Sequence, residues 1–200
     1  MIEQITEAHT EALELIESPL GSATGGLAWA DLGFCFLLTG NPDRAEEMFQ
    51  NGLNTSTAVM YLARPLLLTG SAFLALGRGE IESADRSLQE ARSFAEERAM
   101  KHFYPLLSLA GANASLARSD SAMALESFNR AESLALEMGM RGFAWQSSAG
   151  ATDVLAASGQ SKAGAAKKAK AVYMVNEIAG LFPDQSLRAM YLEDTIAKIG

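Results

Sequence analysis

The chain has 200 residues, 48% of them hydrophobic and 8% aromatic, and a net charge of −8. That length makes one domain or a short repeat array, and that apolar content excludes a disordered chain. The acidic balance argues against nucleic acid as a direct partner, because phosphate binding runs on Lys and Arg. The single cysteine, Cys35, excludes a disulfide framework and a multi-cysteine metal site. With no basic stretch leading into an apolar run at the start, and no apolar run near the ~18 residues that span a bilayer, a cytoplasmic protein without membrane insertion is expected.

Apolar residues recur at three- and four-residue steps, and Ala and Leu dominate, so the chain is read as all-α with about ten helices. The first predicted helix, 2–17, sets Glu3, Glu7, Glu11, Glu14 and Glu17 on a solvated face; residues 1–21 read as a capping helix or half repeat. Gly21 to Gly26 read as a loop that delays the next helix, 22–39. Gly40 closes that helix, and Asn41-Pro42-Asp43 supplies an N-cap, a first-turn proline and an acid for helix 42–54. Helices 59–77 and 80–98 follow, then 101–117, 120–138, 141–158 and 161–181. Phe182-Pro183-Asp184 opens the last, 184–197. Helices beginning near Tyr61 and Lys101 put Pro65 and Pro105 near their first turns, where a missing N–H costs little.

The chain repeats itself. Laid without gaps over 61–100, residues 101–140 match Pro65 with Pro105, Ala72 with Ala112, Ala84 with Ala124, Ala91 with Ala131 and Ala95 with Ala135. Gly40, Gly79, Ser119 and Gly159 mark four equivalent turns about 40 residues apart. A small residue follows each by five positions (Ala45, Ala84, Ala124, Gly164), and a large one comes four later in three copies (Phe49, Leu88, Phe128). Small residues let helix backbones approach, and large ones fill the gap beside them. In the fourth copy Lys168 stands at the large position, a degenerate copy.

The unit Trp29-x-x-Leu32-Gly33-x-x-Phe36, Gly40-Asn41, Ala45, Phe49, Gly52-Leu53 resembles the tetratricopeptide (TPR) repeat. The period of about 40 is longer than that family's usual one, and is similar to long-repeat arrays in the C-terminal parts of bacterial LuxR- and maltose-regulator-like ATPases and ATPase-fused nucleotide cyclases. The stretch from Ala131 to Arg141 with Trp145, and the closing stretch from Leu181 to Leu192, carry that likeness. The resemblance implies a TPR-like right-handed superhelix (an α-solenoid) of antiparallel helices over 1–200. Its repeats are 22–58, 59–99, 100–139 and 140–181, with a capping helix in 182–200.

No P-loop, dinucleotide-binding glycine pattern, nucleophile elbow or zinc-protease motif is present, so no enzyme and no cofactor is expected. Cys35 is read as a buried, inert thiol, and Lys162, Lys167, Lys168 and Lys170 as a solvated face. In the resembled family the first helix of each pair lines a concave groove. That selects Leu27, Phe34 and Leu37, then Leu66, Phe73 and Leu76, then Leu109, Asn113 and Leu116, then Gln146, Asp153 and Ala156. The expected function is a scaffold that holds a peptide or protein segment along this groove, with homo-oligomer contact as a competing use of the same surface. The alternative is a regulatory sensor domain of a larger signalling or transcription-control protein.

Overall fold

Nine α-helices carry the computed structural model, which describes residues 11, 14, 25–54 and 60–199; no strand occurs among them. They are α1 (Gly25–Leu38), α2 (Pro42–Asn54), α3 (Met60–Gly77), α4 (Ile81–Glu97), α5 (Tyr104–Ala117), α6 (Ser121–Glu137), α7 (Arg141–Ala157), α8 (Ser161–Ala179) and α9 (Gln185–Ile196). Short 3₁₀ turns at Lys101–Phe103 and Ala197–Ile199 precede α5 and follow α9. The expected helix 2–17 lies, but for Glu11 and Glu14, outside the described residues. Among the described residues no helix is long and apolar enough to cross a membrane.

The turns repeat as the spacing predicts, for a local reason. Gly40, Gly79, Ser119 and Gly159 all have positive φ, at 74°, 75°, 61° and 78°. At each, the next residue's N–H reaches back to a carbonyl five residues earlier: Asn41 to Phe36 (2.8 Å), Glu80 to Ala75 (2.9 Å), Asp120 to Ser115 (2.9 Å) and Gln160 to Leu155 (2.9 Å). This is the Schellman closure, which satisfies orphan carbonyls at a helix end. The residue that closes one helix also starts the next, since the carbonyls of Asn41, Glu80, Asp120 and Gln160 accept from Ala45, Ala84, Ala124 and Gly164. Ala99 (φ 52°) and Gly139 (φ 71°) close α4 and α6 in the same way.

The two proline positions differ. Pro105 falls in the first turn of α5, as expected, because the 3₁₀ turn holds Lys101–Phe103 apart from it. Pro65 instead lies inside α3. Its missing N–H leaves the carbonyl four residues back without a helical donor. The Thr69 hydroxyl donates to the Pro65 carbonyl (2.6 Å).

The chain divides into two compact units, residues 1–100 and 101–200. In the first, α1 packs on α2 and α3, α2 on α3, and α3 on α4. Its core gathers Ala30, Ala45, Phe49, Ala63 and Leu67, with Trp29, Phe34 and Leu53 against it. In the second, consecutive helices from α5 to α9 pack in turn, and α5 also meets α7. Phe128, Ala112, Ala131 and Ala151 form one core cluster there. Small residues bring backbones together: a Cβ on Gly164 would sit 3.2 Å from the Thr152 carbonyl oxygen of α7.

The last helix is fastened rather than merely stacked. The Asp184 carboxylate accepts from the N–H groups of Ser186 (2.7 Å) and Leu187 (3.1 Å), an N-cap. Its pKa is lowered by the Ser186 hydroxyl and by these backbone bonds. The Arg188 guanidinium turns back and donates to the carbonyls of Ala179, Gly180 and Phe182, closing the end of α8. Tyr191 lies against Phe182 with ring centroids 5.3 Å apart and packs on the Ala171–Val175 cluster with Trp145.

Candidate functional site

The turn residues define a register that can be followed from helix to helix. Counting back from each, the positions at thirteen, six and three residues share one stripe on the first helix of a pair. In the first unit this stripe is apolar throughout: Leu27, Phe34 and Leu37 on α1, then Leu66, Phe73 and Leu76 on α3. All six are half-buried. Leu27, Phe34, Leu37 and Leu66 rest on the core, and Phe34 meets the buried Phe49 edge-on with centroids 5.5 Å apart. Each side chain is thus held by packing while part of it stays in contact with water.

In the second unit the same stripe is mixed: Leu106, Asn113 and Leu116 on α5, then Gln146, Asp153 and Ala156 on α7. Asn113 is half-buried, and its amide nitrogen donates to the Leu109 carbonyl one turn back (2.9 Å). Leu116 is exposed, as are Gln146, Asp153 and Ala156 on α7. Leu109 does not belong with them. It is only 4% exposed and sits in the core with Phe128 and Ala151. It stands ten residues before its turn, where the first two copies carry Ala30 and Thr69, both fully buried. Leu106, which stands thirteen before the turn, is buried as well at 5% exposure, so of these positions α5 leaves only Asn113 and Leu116 open to water.

Cys35 also departs from expectation. It is exposed on α1 rather than buried. The apolar residues beside it in sequence point elsewhere on the helix, because neighbours in a 3.6-residue period lie about 100° apart. Partial burial of the sulfur, helped by the Asp31 charge one turn away, still pushes the thiol pKa up. Burial likewise raises the Asp31 carboxyl.

The lysine cluster is only partly a solvated face. Lys162 and Lys168 are exposed, but Lys167 and Lys170 of α8 both reach Glu132 of α6, whose side chain is 5% exposed. Lys167 also donates to the Asn129 side-chain oxygen at 2.7 Å. Burial alone would raise the Glu132 carboxyl, but the hydrogen bonds and charges of Lys167 and Lys170 bring it below its ordinary value. The three-residue spacing of the lysines places them on one helix face. Their partner lies 35 and 38 residues away, beyond reach of any local pattern.

Among the described residues no group of three or more His, Cys, Asp or Glu could hold a metal ion. His102 is exposed and lies beside Phe103, and His9 is outside the described residues. The first unit carries the half-buried apolar stripe, and the second carries Asn113, Gln146 and Asp153 at the equivalent positions. No family model matches the sequence, and no curated protein matches it.

Proposed function

We propose that the protein is a TPR-type superhelical scaffold that holds a peptide or protein segment against the first helices of its pairs. The observation that carries this reading is the half-buried apolar stripe Leu27, Phe34, Leu37, Leu66, Phe73 and Leu76. Apolar side chains fixed by core packing yet open on one side are suited to receive apolar anchors from a partner without ordering cost. Asn113, Gln146 and Asp153 would supply orientation through hydrogen bonds. Affinity capture from source-cell lysate tests it, with wild type compared against Phe73→Glu and retained proteins identified by mass spectrometry. A protein held by wild type and lost by the variant supports the scaffold, and an unchanged profile removes the stripe from the account.

The length of the helices favours a second reading within the same architecture. α3, α4, α6, α7 and α8 run 17 to 19 residues, as the long-repeat type would have them. A regulatory sensor domain of a larger signalling protein is the corresponding function. An ATPase, cyclase or DNA-binding domain encoded in the same reading frame would support it.

A further inference from the structure

Each unit repeats one contact at the joint between a second helix and the first helix that follows it. The residue nine places after one turn residue lies on the residue nine places before the next. Phe49 meets Gly70 in this way and Phe128 meets Gly150, each ring set where a Cβ on the glycine would overlap it. A neighbouring pair of positions goes with it, five before a turn residue and six after the preceding one. Leu74 lines a cleft with Glu46, and Val154 shares a core cluster with Leu125. Leu74 and Val154 are buried, at 6% and 5% exposure.

The same positions are open on α1 and α8. Nine and five before Gly40 stand Asp31 and Cys35, and both are exposed. Six and nine after Gly159 stand Ala165 and Lys168, also exposed. The last helix does not cover them, because Tyr191 and Leu192 rest on Ala171, Val172 and Val175 in the second half of α8. Neither Asp31 nor Lys168 has an ion-pair partner among the described residues. Partial burial raises the Asp31 carboxyl, and no described cation offsets it. Residues 1–100 hold 15 of the 24 acidic residues and 6 of the 16 basic ones, whereas Lys162, Lys167, Lys168 and Lys170 crowd the first half of α8 with no acid among them. The two open faces are opposite in sign. Where the inner joints set an aromatic ring on glycine, these faces offer lysine and aspartate at the same register.

We propose that the first half of α8 in one copy of the chain receives α1 of a second copy, head to tail, with Lys168 set on Asp31 and Ala165 beside Cys35. A contact between two different faces propagates, since each added copy still offers one free α1 and one free α8. The positions differ from those of the apolar stripe, and the proposal does not rest on the scaffold reading. Sedimentation equilibrium of the 200-residue chain tests it. The weight-average mass is expected to rise with concentration. Asp31→Lys and Lys168→Glu are each expected to stay monomeric, because each sets like charges face to face. An equimolar mixture of the two is expected to associate, because each then offers the other an opposite charge, and mixing would not repair a structural defect. A constant monomer mass up to about 0.5 mM, a range that detects a Kd near 1 mM, overturns the proposal. So does a mixture that stays monomeric while the wild type associates, or a single variant that associates as the wild type does. If circular dichroism shows that a charge-reversed variant does not fold, Ala165→Trp takes its place, since its bulk blocks the same face. Undiminished association of Ala165→Trp then overturns the proposal.

Discussion

The ring of Phe128 lies against the backbone of α7 at Gly150, where a Cβ would overlap ring carbons Cε1 and Cζ. Phe49 stands in the same relation to Gly70 of α3, and Gly33 of α1 faces it too. A phenylalanine at the large position thus sits against a glycine on the first helix that follows it. Gly150→Ala should cost about 1–3 kcal/mol, the usual range for overpacking a filled site. Phe128→Leu in the same chain should recover part of that loss, since Leu88 is the natural residue at the equivalent position. Urea denaturation of both single variants and the double measures the coupling. Strict additivity, with coupling under about 0.5 kcal/mol, would remove the ring-in-slot explanation.

Glu132 is a buried carboxylate held by two lysines, so removing its partners should be worse than removing the acid. Lys167→Met with Lys170→Met should destabilise by about 3 kcal/mol, the low end for an uncompensated buried charge because the Lys170 side chain is half in water. Glu132→Gln should cost less. The folded carboxyl lies below its ordinary value, so its contribution is present above the unfolded carboxyl range and fades as pH falls through the folded one. Denaturation curves of wild type and Glu132→Gln should therefore converge on acidification. A gap that stays constant with pH would count against the ion pairs as its source.

Ala99 and Ser119 take left-handed φ without being glycine, at 52° and 61°. Gly79 holds the same conformation, and a Cβ there would touch nothing. Backbone strain then decides both substitutions. Gly79→Ala should lose about 1–2 kcal/mol. Ala99→Gly should gain up to about 1 kcal/mol, the relieved strain being partly offset by a freer unfolded chain. Thermal melting of the two variants tests the sign, and a Tm drop in Ala99→Gly would contradict it.

Cys35 should be reachable by a thiol reagent in the native protein, yet slow at neutral pH. Its pKa is raised by partial burial and then by Asp31, so the thiolate fraction is low. The rate of reaction with Ellman's reagent should climb steeply with pH, and Asp31→Asn should raise it modestly at pH 8. A native rate equal to that of free cysteine across the range would show that neither cause operates.

The sequence by itself determined what depends on neighbours along the chain. Gly40, Gly79, Ser119 and Gly159 announce left-handed closures because only few residues tolerate that φ, and the next helix starts from the residue that closes the last. Helix limits followed, as did the small positions Ala45, Ala84 and Ala124, all fully buried. Tertiary structure alone decided the rest. The burial of Leu109 was illegible because α5 is apolar nearly all round and buries Leu106, Leu107 and Leu109 alike, so no polar face marks which leucines point outward. The exposure of Cys35 was masked by apolar neighbours that share its sequence but not its face. Nothing local ties Glu132 to Lys167 and Lys170. Those relations arise only when helices distant in the chain are packed side by side, and charge and space are then shared between them.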